Sequence, residues 1–293
     1  MNTQPILTLR HDNAAYSVAF SSDGSLLASG SLDKSIRIWE LPSGNEKYRL
    51  NGHREAVCTV VFQNGDSSLL SASLDKTLRT WNLESGELKA TMSGHQTYLT
   101  CMAASADETL AVSGSHDKEL ILWDVTANAQ LATLKGHTDL ISCVAMSPDG
   151  RFAASGGHDL LIRIWDVESK THVREIGPHP KPIQCITFSP DGATVAATDE
   201  SPVIRLWNFA TGKVDRTFEE HERSVKTVAF SPDGRRLASG GTDPQILIRE
   251  ISSGQVEHAL EGHRNTIYGL AWSPGGKRLA SAAFDRTVRV WRL

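Results

Sequence analysis

The stretch Gly136–Ile176 reads GHTDLISCVAMSPDGRFAASGGHDLLIRIWDVESKTHVREI, and its pattern decides the fold. An apolar alternation from Ile141 to Met146 predicts a first strand. Ser147-Pro148-Asp149-Gly150 predicts a tight turn, with Pro presetting its φ and Gly accepting a positive one. Phe152 to Ser155 is a second strand. Ile162 to Val167, in which Ile, Arg, Ile and Trp alternate, is a third. A polar turn follows, and His172 to Ile176 is a fourth. A sheet of four such short strands cannot bury both of its faces alone; neighbouring copies must cover them.

The copies are present. His11, His53, His95, His137, His179, His221 and His263 recur every 42 residues. Trp39, Trp81, Trp123, Trp165, Trp207 and Trp291 keep the same period, with Arg249 in the missing slot, and Asp33, Asp75, Asp117, Asp159, Asp243 and Asp285 do likewise, with Ser201 as the exception. Seven copies without insertion or deletion predict one domain over residues 1–293: an all-β, seven-bladed β-propeller of four-stranded antiparallel blades. The last copy stops at Trp291-Arg292-Leu293, after its third strand. Ile6-Leu7-Thr8-Leu9 matches the fourth-strand pattern of Leu131-Ala132-Thr133-Leu134. Residues 5–9 are therefore expected to complete the blade formed by 263–293, removing two open sheet edges.

Composition narrows the function classes. A formal net charge of -4 argues against nucleic acid as the main partner, since phosphate binders carry basic surfaces. The N-terminus has no basic segment followed by an apolar run, so no secretion signal is read, and no stretch is apolar enough for a membrane span. Cys58, Cys101, Cys143 and Cys185 show no CxxC pairing; a reducing cytoplasm is the expected setting.

Gly136-His137 with Trp165-Asp166, and Gly94-His95 with Trp123-Asp124, resemble the WD40-repeat family, and the resemblance covers essentially residues 5–293. It implies a hydrogen-bonded His, Ser, Asp and Trp tetrad inside each blade. The matching sets are His11, Ser29, Asp33, Trp39; His53, Ser71, Asp75, Trp81; His95, Ser113, Asp117, Trp123; His137, Ser155, Asp159, Trp165; and His263, Ser281, Asp285, Trp291. The chemistry is sound, because a buried indole N–H needs an acceptor and a buried carboxylate needs donors. Two copies depart. One has Ala197 and Ser201 where Ser and Asp are expected, with Asp199 close enough to substitute in part. The next has Arg249 for Trp, free to pair with Asp243 or to turn outward. These two blades are expected to be the least stable.

Catalytic readings compete poorly with packing. A nucleophile is needed once, whereas Ser, His and Asp recur together in five copies, and no G-x-S-x-G elbow is present. The glycines of Ser-Pro-Asp-Gly are turn residues, and no phosphate-binding fingerprint appears. His116 and His158, before the aspartates of adjacent copies, lack a clear third metal ligand and read as exposed turn residues. Cys101, Cys143 and Cys185 read as small free hydrophobes between blades. Arg37, Arg79, Arg163, Arg205 and Arg289 share one third-strand position and are expected on a solvated blade rim. No enzyme activity, cofactor or metal is expected.

The resemblance further implies a binding face supplied by three positions per copy: three and five residues after the His, and one before the Asp. The first gives Ala14, Ala56, Tyr98, Leu140, Pro182, Ser224 and Thr266; the second Tyr16, Cys58, Thr100, Ser142, Gln184, Lys226 and Tyr268; the third Leu32, Leu74, His116, His158, Glu200, Thr242 and Phe284. From these, Tyr16, Leu32, Leu74, Tyr98, Leu140, Lys226, Tyr268 and Phe284 are the candidate partner-binding residues. The expected function is a protein-interaction scaffold, a monomeric ring recognising a partner peptide or domain. The alternatives are a propeller enzyme using His116, His158 and Glu200 at the channel mouth, or a propeller binding RNA or another polyanion.

Overall fold

The computed structural model describes residues 4–219 and 221–293. Its strands form seven four-stranded antiparallel sheets, with no helix among the described residues. Each sheet is one blade. Blades 1 to 6 span 15–50, 57–93, 99–135, 141–176, 183–218 and 225–261; blade 7 combines 267–292 with 7–10. Blade 4 shows how sequence makes the unit. Strands Ile141–Met146 and Phe152–Gly157 are joined by a self-contained turn. There Ser147 Oγ donates to Asp149 Oδ1 at 2.5 Å and accepts Phe152 N–H at 2.9 Å, while Gly150 takes φ +69°.

The N-terminal strand Leu7–Arg10 pairs antiparallel with Thr287–Arg292, from Leu7 opposite Val290 to Arg10 opposite Thr287. The ring is thus closed by main-chain bonds between the two ends of the described chain, as the terminal patterns predicted. Across this seam Leu9, Val288 and Val290 pack with Ala15, Val18, Leu27 and Trp39 of blade 1. The same sheet-on-sheet burial recurs elsewhere. Leu70, Leu78 and Met92 of blade 2, for example, meet Leu99, Met102 and Trp123 of blade 3. On the side of the ring away from the Gly-His loops, polar contacts tie blades together. Ser22 donates to Asp66 from both its N–H (2.8 Å) and its hydroxyl (2.5 Å), and Arg278 Nη2 donates to Gly24 O at 2.7 Å.

Inside blade 3, the hydroxyl of Ser113 accepts the indole N–H of Trp123 at 2.8 Å and lies 2.8 Å from His95 Nε2, while His95 Nδ1 lies 3.0 Å from Asp117 Oδ2. With a neutral imidazole, the indole donates to Ser, Ser donates to Nε2, and Nδ1–H donates to the carboxylate, which satisfies every member. Blades 1, 2, 4 and 7 repeat the arrangement, with indole–hydroxyl distances of 2.8 to 2.9 Å. Burial works against the Asp117 carboxylate, but the bonds from Gln96 N–H and His95 outweigh it and hold its pKa below the ordinary range.

Blade 5 lacks the hydroxyl. His179 Nε2 and Trp207 Nε1 are buried without a hydrogen-bond partner. Asp199 stands two residues early, opposite Ile183 as Ser31 stands opposite Ala15. From there it accepts His179 Nδ1 at 3.1 Å and Arg205 Nη1 at 2.7 Å. In blade 6, His221 keeps Ser239 (2.8 Å) and Asp243 (3.3 Å), while the Arg249 guanidinium lies 4.3 Å over the Phe218 ring and donates to Gly254 O.

The third-strand arginines correct the expectation of a solvated rim. Arg37 and Arg163 are buried, and both reach their blade's carboxylate at 3.5 Å, Asp33 and Asp159. Arg79 lies 3.8 Å from Asp75. In blade 2 the glycine before the tetrad His leaves room for this: a Cβ on Gly52 would stand 2.8 Å from Arg79 Nη1 and 3.1 Å from the Trp81 ring. Gly52 and, in blade 7, Gly262 are therefore packing requirements of the Arg and Trp beside them.

Candidate functional site

Every first strand carries a β-bulge at one position. Register is lost between Ala15 and Ser17, Val57 and Thr59, Leu99 and Cys101, Ile141 and Cys143, Ile183 and Cys185, Val225 and Thr227, and Ile267 and Gly269. The skipped residues are Tyr16, Cys58, Thr100, Ser142, Gln184, Lys226 and Tyr268, the full set five residues after each His. A bulge re-aims a side chain, and all seven line a central channel of about 720 Å³.

A second feature fixes the rim. In each blade the residue before the Asp position donates its N–H to the carbonyl three residues after the His: Leu32 to Ala14, Leu74 to Ala56, His116 to Tyr98, His158 to Leu140, Glu200 to Pro182, Thr242 to Ser224 and Phe284 to Thr266, at 2.8 to 3.0 Å. The three predicted positions of each copy thus meet at one mouth. The tetrad Asp steadies this junction, since it also accepts the N–H of the residue after the His, as Asp285 does from Arg264 at 2.9 Å.

The mouth is uneven. Tyr16 and Tyr268 meet edge to face at 5.0 Å across the closure seam, and Tyr268 meets Phe284 at 6.3 Å. Phe284 remains 43% exposed, and burial raises the phenol pKa of both tyrosines. Gly269 permits the close seam, because a Cβ there would stand 2.7 Å from Tyr16 O. Leu32 and Leu140 are half-buried, and Leu74 lines the channel. Tyr98, 53% exposed, stands edge-on to His116 at 5.8 Å, apart from the seam cluster. Ala14 and Ala56 are buried and present no side chain to a partner. On the side of blades 5 and 6, Lys226 donates to Gln184 Oε1 at 2.9 Å, and Gln184 Nε2 lies 3.4 Å from Glu200.

The four cysteines are free and line the channel wall; burial raises their pKa values, that of Cys101 to about 12. His116 and His158 are exposed. Among the described residues no group of three or more His, Cys, Asp or Glu is arranged to hold a metal ion, and no helix is long and apolar enough to cross a membrane. The bulges were not legible in the sequence, and neither were the polar contacts between blades. For the latter a signal existed: Asn64-Gly65-Asp66 and Ala106-Asp107-Glu108 break the Ser-Pro-Asp-Gly pattern where Asp66 and Glu108 bridge neighbouring blades.

The family model described as "WD domain, G-beta repeat" matches the chain seven times, at residues 3–40, 44–82, 86–124, 128–166, 170–208, 212–248 and 254–292. The chain is also similar, at 49% identity over 57 residues, to the "Probable serine/threonine-protein kinase PkwA" of Thermomonospora curvata. That similarity spans 20% of this chain and 7% of the kinase.

Proposed function

The chain belongs to the WD40-repeat family, and from that premise we propose that it is a non-catalytic recognition module whose partner, a protein or peptide, docks over Tyr16, Leu32, Tyr268 and Phe284. The observation that carries this reading is the partly exposed aromatic cluster at the closure seam. Its side chains do not follow the repeat, so the ring's architecture does not require them. Apolar clusters rimmed by polar groups favour partner docking, and Tyr is a frequent anchor. Gln184, Glu200 and Thr242 supply a polar rim opposite. The non-catalytic part is supported by the tetrads: Ser155, the would-be nucleophile of blade 4, is fully buried and already shared between Trp165 and His137. The proposed setting is the cytoplasm, in keeping with four free thiols, and the working unit is a single ring.

The test is affinity capture from the native host with wild-type protein, followed by rebinding of the purified partner to Tyr268→Ala and Phe284→Ala. Both variants should keep the wild-type melting temperature and bind at least about tenfold more weakly, as anchor truncations do. Unchanged binding by both would remove this surface from the proposal.

A further inference from the structure

Among the described residues that line the channel, Lys226 is the one charged side chain. Its backbone sits at a bulge, so its direction is set by the strand and not by chance of rotamer. The ammonium spends one donor on Gln184 Oε1, a neutral acceptor, at 2.9 Å. An ammonium has three donors and no acceptor, so two remain for the channel. Glu200 is the acidic group that acts on it, and only from a distance; burial dominates and lowers the Lys226 pKa. A half-buried cation without a paired carboxylate is the complement of an anion. The neighbouring blade supplies Tyr268, and beyond it Phe284. Lys226 and Tyr268 thus line the channel from equivalent bulges of adjacent blades, and the aromatic side chains continue from Tyr268 to Phe284 at the rim.

We propose that Lys226 is a carboxylate-recognition residue, taking the Asp or Glu side chain of a partner peptide whose apolar neighbours lie on Tyr268 and Phe284. This rests on the docking reading above and names the chemistry of the partner. The continuity of these aromatic side chains favours a peptide side chain over a free small acid, which would fill the channel without using Phe284, 43% exposed at the rim. The formal net charge of -4 means that bulk electrostatics repel an acidic peptide. Any preference for acid is then local.

The test uses the full chain with its lysines labelled with ¹³C at Cε, which leaves the ammonium intact, followed by NMR. The probes are N-acetyl-Leu-Glu-Phe-amide, its Gln and Lys analogues, and sodium acetate. The Glu peptide should displace the Lys226 signal saturably and bind about tenfold more tightly than the Gln analogue. Lys226→Met should erase that difference, Lys226→Arg should retain it, and Lys226→Glu should prefer the Lys analogue, each with an unchanged melting temperature. Equal binding of the Glu and Gln peptides, no saturable shift with any peptide, or acetate binding as tightly as the Glu peptide would overturn the proposal. If the Glu and Gln peptides bind equally but both are lost in Phe284→Ala, the docking surface stands and only the role of Lys226 falls.

Discussion

Blades 3 and 5 are built on the same repeat and stand two places apart in the ring, yet they solve the same burial problem differently. In blade 3 the indole of Trp123 is buried with its N–H handed through Ser113 and His95 to Asp117. In blade 5 Trp207 is buried with its N–H unanswered, because Ala197 stands where the hydroxyl belongs. The fold survives in both. Trp207 packs with Ile164, Ile176 and Phe188 in a core shared with blade 4, so apolar burial is enough to form a blade. The polar relay adds stability and fixes the loops at the mouth. Blade 5 retains part of the second role by another route, with Asp199 gripping His179 and Arg205 from two residues upstream.

Acid should erase the difference between the two blades, and is the largest effect expected. Asp117 and Asp199 are both held below the ordinary carboxylate range, against burial, by their donors. A carboxylate with a depressed folded pKa stabilises above its unfolded value, near 4, and loses that contribution as pH falls. Burial also depresses His95, His221 and His263, so the unfolded chain binds their protons first, below about pH 6.5. Melting temperature followed by circular dichroism should begin to fall below about pH 6.5 and drop steeply below about 4. A flat profile to pH 3 or so would contradict the relay as drawn.

Exchanging the key residue should sharpen the comparison. Ser113→Ala strands both the Trp123 N–H and His95 Nε2 in a buried site and should cost about 2 kcal/mol. Ala197→Ser should stabilise by about 1 kcal/mol by answering His179 and Trp207. Chemical denaturation measures both; no cost from Ser113→Ala, or no gain from Ala197→Ser, would show that the hydroxyl does not act through the relay. A smaller contrast follows for the ring nitrogen: Trp123→Phe should cost about 1 kcal/mol more than Trp207→Phe, since only the former has a hydrogen bond to lose. Native-state hydrogen exchange should then find the strands of blades 5 and 6 opening faster than those around Trp123. Slower exchange there would reverse the comparison.

Much of this was legible because the relay is periodic. His95, Ser113, Asp117 and Trp123 announce themselves by recurring, and Asp199 could be suspected because it lies two residues from the empty slot. The arginines misled for a physical reason. Arg37 and Arg163 stand two residues before the Trp, and a long charged side chain at such a position reads as solvent-facing. In the structure each guanidinium instead folds over its blade's Asp, which the turn before the strand supplies. The inward aim of Tyr16, Lys226 and Tyr268 was implied by resemblance but not readable from pattern, because a bulge is a property of two strands in register. That Phe284 stays open while Ala14 is sealed depends on the depth of each loop.

The side chains divide into those that recur and hold the ring, and those at the mouth that differ from blade to blade and are proposed to meet a partner. One experiment tests this most directly: Ser113→Ala and Phe284→Ala, each measured for melting temperature and for affinity toward the captured partner. The division predicts that the Ser variant melts several degrees lower and binds normally while folded, and that the Phe variant melts as wild type and binds poorly. A Phe284→Ala protein that binds with full affinity, or that loses stability as Ser113→Ala does, would contradict it.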